Sequence, residues 1–148
     1  METDRITTEF IARTLPKAQW THHAHLRAGL WHALHYSDDV SLDLLRERIR
    51  AYNESTGVVN TPSAGYHETI TRFYVGVIRL FLDSVDARRS IDDLAQELIA
   101  RFGDKGLPLR YYSRERLNST EARMGWLAPD LEPLAPGSLD TRESAATI

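Results

Sequence analysis

Apolar residues recur three and four positions apart along most of the chain, the spacing that places them on one face of an α-helix. The pattern predicts helices at residues 8–15, 22–36, 42–57, 66–85 and 91–103, with one or two short helices within residues 114–124. No run alternates strictly between apolar and polar residues, as a half-exposed strand would. The sequence therefore predicts an all-α fold, a single-domain bundle of four main helices plus short helices over residues 1–136.

Local signals mark the ends of several predicted helices. Thr21 and Ser90 have the side chains of helix N-caps, and Asp93 follows Ser90 by three residues, as in a capping box. Pro16 ends the first helix, because proline lacks a backbone N–H. The fourth predicted helix is apolar on nearly every side and should be the most buried. Residues 137–148 have almost no apolar periodicity, and we expect a disordered tail there.

Composition narrows the class of protein. The 148 residues, 42 % of them hydrophobic, and the net charge of −3 are typical of one globular domain. This charge offers no strong positive field for a nucleic acid, and no apolar run reaches the roughly 18 residues that a membrane helix needs. Cysteine is absent from the sequence, which excludes disulfides and thiolate ligands. We expect a cytoplasmic protein whose partner is neither nucleic acid nor a membrane.

Histidines are concentrated at one place in the sequence. Five of the six lie between His22 and His35, and the sixth is His67. His22 and His25 share a helix face, on which Gly29 would let another backbone or a ligand come close. If a facing helix contributed His67, three nitrogen ligands with an open position would hold a catalytic divalent metal, either zinc, nickel or iron.

Polar residues after His67 supply candidate catalytic groups. Glu68 is a candidate general base or fourth ligand, Thr71 shares a helix face with His67, and Arg72 could hold a substrate anion. Glu68 and Arg72 are also spaced for an ordinary ion pair between neighbouring turns of one helix. The histidines themselves could instead line a polar pocket without metal, or be unrelated surface residues.

Two further segments are candidates for contact with a ligand. Asn60 and Tyr66 belong to a structured loop with glycine turns, and loop structure alone is the alternative explanation for them. Arg110, Tyr111 and Arg114 interleave arginine with tyrosine, a composition that suits an anionic ligand. The alternative for this second segment is a solvated helix face with buried tyrosines.

The motifs THHAHL, GYHETIT and YYSRERLNSTEAR, taken together, resemble a family of small bacterial all-helical proteins of unassigned function. The resemblance covers most of the chain, from Trp20 to about Pro129. It implies which residues form a site and names no reaction; the site residues on which it rests are His22, His25, Asn60, Gly65, Tyr66, His67, Glu68 and Thr69. A looser similarity is to the DinB-like metal-binding helical bundles, although their paired histidines on a late helix are missing here.

These observations favour a metal-dependent enzyme that acts on a small molecule, with a three-histidine site and a nearby glutamate. The alternative is a non-catalytic helical module that binds a small ligand in the same polar pocket without metal. The arginines favour an anionic ligand in either case. Self-association into a homodimer is a further option, because small helical bundles often self-associate.

Overall fold

Helices make up most of the chain in a computed structural model, which describes residues 4–136. They are α1 (Arg5–Ala12), α2 (His22–His35), α3 (Asp38–Ser55), α4 (Glu68–Asp83), α5 (Ile91–Phe102), α6 (Pro108–Tyr111), α7 (Arg114–Leu117) and α8 (Thr120–Met124), with a 3-10 turn at Lys17–Gln19. Within this part of the chain there is no β-strand, only an isolated bridge between Thr61 and Ala64. The predicted all-α class is confirmed, whereas the single-domain four-helix bundle stays a prediction. No helix between residues 4 and 136 is both long and apolar enough to cross a membrane.

Side-chain caps explain where the longer helices begin. The hydroxyl of Thr21 accepts a hydrogen bond from the N–H of Ala24, and that of Ser90 accepts one from Asp93, as predicted. α3 begins earlier than predicted, because Ser37 caps it and two aspartates follow at the positive end of the helix dipole. A short helix, α6, also lies between the predicted helix at residues 91–103 and the short helices predicted within residues 114–124.

α2 and α4 pack against each other at the centre of the main apolar core. Phe73, Val77 and Phe81 of α4 are almost fully buried, in agreement with the prediction that this helix is deeply buried. Gly29 of α2 lies so close to Ile78 of α4 that an added Cβ would stand 2.8 Å from Ile78 Cδ1. The close approach predicted at this glycine is therefore made by a side chain of the neighbouring helix.

A smaller apolar cluster joins α1, α2 and α3 beside the main core. Phe10, Ala28 and Tyr52 are buried in it. The indole of Trp20 stacks on Phe10, with 4.3 Å between ring centroids. This contact fixes the tryptophan directly before the start of α2, next to the histidines.

The segment that follows α8 closes over the first turn of α4. The buried hydroxyl of Thr69 donates to the carbonyl of Gly125 at 2.7 Å and accepts from the N–H of Leu127. Further along, the N–H of Leu131 donates to the carbonyl of Tyr111. The chain is thus held against α4 and α6 beyond the end of α8. The predicted disordered tail at residues 137–148 lies outside the described residues.

Candidate functional site

Two neighbouring cavities form a cleft between α2, α3 and α4. The inner cavity has a volume of about 100 Å³ and is lined mostly by aliphatic side chains, which include Leu26, Leu45 and Ile78. The outer cavity has a volume of about 290 Å³ and reaches the loop before α4. Both are lined by Trp20, His25, Ile49, Ile70 and Thr71. We call the two together the α2–α4 cleft.

Charged side chains are absent from the walls of this cleft, as far as the described residues go. No Asp, Glu, Lys or Arg is among the residues that line either cavity. The polar groups there are imidazoles, hydroxyls, an amide and an indole. An ion that entered would lose its hydration without meeting an opposite charge, which is unfavourable. The expectation of an anionic ligand therefore gains no support at this cleft.

Three buried polar atoms of residues that line the inner cavity have no hydrogen-bond partner within residues 4–136. They are Trp20 Nε1, His22 Nε2 and the hydroxyl oxygen of Tyr74. Buried polar groups are nearly always paired, and an unpaired one costs about 1–3 kcal/mol. A fourth such atom, Ser41 Oγ, belongs to a residue that lines neither cavity. Each of these atoms has less than 1 Å² of accessible surface, so none of them is reached from the cavity.

His25 stands at the boundary between the inner and outer cavities. Its Nδ1 lies 2.7 Å from the carbonyl oxygen of Thr21, and its ring stacks on Trp20 with 3.8 Å between centroids. The ring is still exposed to solvent. Desolvation by the surrounding residues lowers the pKa of His25, although the bond to Thr21 opposes this shift. The imidazole is therefore neutral at pH 7.

His22 lies one turn before His25 and lines the inner cavity. Its ring meets Tyr74 of α4 edge to face, with 5.5 Å between centroids. Desolvation lowers the pKa of His22, and the neighbouring His23 and Lys105 lower it further. The structure thus brings His22 and His25 to one cleft, as their helical spacing predicted.

His67 also reaches the cleft, but both of its ring nitrogens are occupied. Nδ1 accepts a hydrogen bond from the N–H of Ile70 at 3.1 Å, which makes His67 the N-cap of α4. Nε2 must then carry the proton, and it donates to the carbonyl of Leu117 at 2.8 Å. Burial lowers the pKa of His67, so this neutral form is the stable one. The sequence pattern predicted His67 inside the helix, whereas its side chain caps the N-terminus of α4.

The donors present do not fit a metal held by His22, His25 and His67. A coordinating imidazole needs a free nitrogen lone pair, and that of His67 already accepts from the backbone. No group of three histidine, aspartate or glutamate side chains within residues 4–136 is placed to hold a metal ion. The zinc, nickel or iron ion expected from the sequence has no ligand set in this arrangement and stays a prediction.

Glu68 is held by a partner that the sequence did not indicate. Its carboxylate accepts two hydrogen bonds from Arg46 of α3, at 2.9 and 2.6 Å, and one from the hydroxyl of Tyr66 at 2.8 Å. The bonds from Arg46 lower the pKa of Glu68, which makes it a weak base. The ion pair with Arg72 does not form, because that guanidinium stacks over Trp126 at 4.6 Å.

Of the other predicted residues, Thr71 and Tyr66 line the cleft and Asn60 supports it. The hydroxyl of Thr71 donates to the carbonyl of His67. Asn60 Oδ1 accepts from the side chain of Asn53 and from the N–H of Tyr66, so this amide shapes the loop, and its contact with a ligand stays a prediction. A positive φ of 83° at Gly65 completes the turn.

The arginine–tyrosine segment does not join the histidines. Arg110 pairs with Glu132 at 3.0 Å and stacks on Tyr111, which is fully buried in the main core. Arg114 is exposed at the start of α7. None of these three lines the α2–α4 cleft. Their contribution to ligand binding stays a prediction.

Sequence reasoning missed the residues that give the cleft its apolar character. Ile49, Ile70 and Tyr74 carry no motif, and their positions match ordinary core positions of amphipathic helices, while Trp20 precedes α2. The only local hint was the tryptophan beside a histidine-rich helix start. Comparisons of the chain with protein-family models, with curated proteins and with solved structures give no match. The resemblance to small bacterial helical proteins therefore rests on the motifs alone.

Proposed function

We propose that this protein is a binding module for a small, uncharged, largely apolar ligand, which the α2–α4 cleft holds without a metal. The observation that carries the proposal is the lining of the cleft, two adjoining cavities with largely apolar walls and no charged side chain among the described residues that line them. Ligand pockets are typically lined by apolar side chains with a few polar groups that fix orientation, and this cleft has that composition.

Size and charge define the class of ligand. An apolar cavity of about 150 Å³ holds a benzene molecule, so the inner cavity, at about 100 Å³, suits a short aliphatic group or a small ring that enters partway. The outer cavity has room for the remainder of the molecule. Because no charged side chain among the described residues lines either cavity, an uncharged ligand is favoured over a charged one.

A metal-dependent enzyme is the competing hypothesis, and the contacts of its candidate catalytic residues do not favour it. The Glu68 carboxylate is engaged by Arg46 and Tyr66, and Arg72 stacks on Trp126 away from the histidines. Metal analysis of the purified protein separates the two. If the purified protein carries stoichiometric zinc, nickel or iron and a His67→Ala variant loses it, the metal-dependent enzyme is favoured and our proposal is wrong.

Thermal unfolding in the presence of small probes tests the binding proposal. We expect benzyl alcohol or cyclohexanol to raise the melting temperature, while benzoate and benzylamine have no effect. At a probe concentration of ten times the dissociation constant, binding should add about 1.4 kcal/mol to the free energy of unfolding. This corresponds to a rise in melting temperature of about 4 °C for a chain of this length. If neither uncharged probe shifts the melting temperature, the proposal is wrong.

A cavity-filling substitution locates the binding site. Ile70 lines both cavities, so the ring of an Ile70→Phe variant should occupy the cleft and abolish the shift. Leu80→Phe is the matched control, because Leu80 is a half-buried residue of the same helix that lines neither cavity. The control variant should respond to the probes as the wild type does.

A further inference from the structure

His25 has the features of a residue that selects the ligand. This argument rests on the proposed function and concerns the same cleft. The carbonyl of Thr21 can only accept a hydrogen bond, so the nitrogen 2.7 Å from it, His25 Nδ1, must carry the proton. In the neutral ring, Nε2 is then an acceptor. No side chain or backbone group in residues 4–136 is hydrogen-bonded to this Nε2.

The ring of His25 is held in place from two directions. The bond to Thr21 ties one edge to the backbone of its own helix, and Trp20 stacks on its face at an interplanar angle of 28°. Trp20 is itself stacked on the buried Phe10 at 4.3 Å. An acceptor fixed in this way is pre-organised, because little side-chain freedom is lost when a ligand binds.

The acceptor at His25 distinguishes between the polar groups that an uncharged ligand can carry. A ligand hydroxyl can donate a hydrogen bond to the imidazole nitrogen. An ether or ketone oxygen can only accept and leaves His25 unpaired. An ammonium could donate, but no carboxylate among the described residues lines the cleft to balance its charge.

We infer that the α2–α4 cleft selects uncharged ligands that carry a hydroxyl group, and that His25 Nε2 is the acceptor that reads this hydroxyl. The class comprises small alcohols and phenols. Selectivity of this kind arises because an analogue that displaces water from a fixed acceptor, without replacing the lost hydrogen bond, binds less tightly. His25 is thus a specificity-determining residue of the proposed binding site.

Three probes of similar shape test the inference: benzyl alcohol, benzyl methyl ether and toluene. We expect the wild type to bind benzyl alcohol about tenfold more tightly than the ether, the ratio that one net hydrogen bond supplies. In a His25→Phe variant, which keeps a flat ring against Trp20, the ratio should fall close to one. His35→Phe is the matched control, because His35 also bonds the carbonyl four residues before it and packs on a tryptophan. It should keep the tenfold preference.

The outcomes separate this inference from the proposed function. Equal affinity of the wild type for the alcohol and the ether overturns the inference and leaves the binding proposal intact. A preference that survives in His25→Phe overturns the assignment to His25. Binding of none of the three probes means that the proposed function itself is wrong. If His25→Phe does not fold, the ¹⁵N signal of His25 Nε2 decides: benzyl alcohol should shift it in the wild type and the ether should not.

Discussion

His67 and Leu117 connect two parts of the chain that are fifty residues apart. The imidazole Nε2–H of His67 donates to the backbone carbonyl of Leu117 at 2.8 Å, while the other ring nitrogen caps α4. The side chain of His67 therefore caps the N-terminus of the buried helix α4 and also binds the backbone at the end of α7. This double contact explains the histidine of the GYHET motif without a metal ion.

Replacement of His67 by alanine should lower the free energy of unfolding by about 2–3 kcal/mol, as it removes an N-cap and a long-range hydrogen bond. His67→Asn should recover roughly 1 kcal/mol, because asparagine caps helices well but is too short to replace the bond to Leu117. Urea unfolding curves measure both values.

A chelator at pH 7.5 should leave the melting temperature of the wild type unchanged. Destabilisation by chelator in the wild type, absent in His67→Ala, would restore the metal hypothesis.

Removal of the hydroxyl group should lower the free energy of unfolding at Tyr52 but not at Tyr74. The hydroxyl of Tyr52 donates to the carbonyl of Leu15 at 2.8 Å, so Tyr52→Phe should cost about 1 kcal/mol. The hydroxyl of Tyr74 is buried without a partner in the described structure, so Tyr74→Phe should leave stability unchanged or raise it slightly. Chemical denaturation of the ligand-free protein compares the two variants. A loss of more than about 1 kcal/mol in Tyr74→Phe would mean that its hydroxyl is paired.

Arg46 and Glu68 should show a measurable energetic coupling. Their contact uses both carboxylate oxygens, and the Glu68 side chain is only 12 % exposed. A double-mutant cycle with Arg46→Ala and Glu68→Ala should give about 1–2 kcal/mol. The same cycle on the exposed pair Arg5 and Glu9 should give a few tenths of a kcal/mol. Equal coupling in the two pairs would contradict the conclusion that Arg46 holds the Glu68 carboxylate in place.

Stability should fall as the pH drops below 6.5, in part because of His32. This side chain is fully buried, and desolvation lowers its pKa to about 4, with Arg48 and His35 lowering it further against a bond to Ala28. The unfolded chain takes up the proton near pH 6.5, so the native state loses up to about 3 kcal/mol as the pH falls from 6.5 to 4.

A variant that cannot titrate isolates this contribution. His32→Gln keeps an acceptor for the guanidinium of Arg48, which lies 2.7 Å from His32 Nε2. Its stability should change less than that of the wild type between pH 6.5 and pH 4, as measured by urea unfolding at each pH. A slope in His32→Gln equal to that of the wild type would disprove the contribution of His32.

Local chemistry in the sequence determined most of the helices and part of the site. Thr21 and Ser90 cap the helices that follow them because a cap bonds a backbone N–H only three residues away. His22 and His25 share one cleft because a helix repeats every 3.6 residues. The cause of the earlier start of α3 is also local, because Ser37 lies before the predicted start and caps the helix there.

Tertiary packing alone decided how the polar side chains are used. Glu68 has Arg72 within reach along its own helix, yet it pairs with Arg46 of α3, and His67 bonds a carbonyl of α7. A buried donor or acceptor takes the partner that packing brings within about 3 Å, and that partner is often far away in sequence. The shape of the cleft likewise depends on three helices at once, so no single segment encodes it.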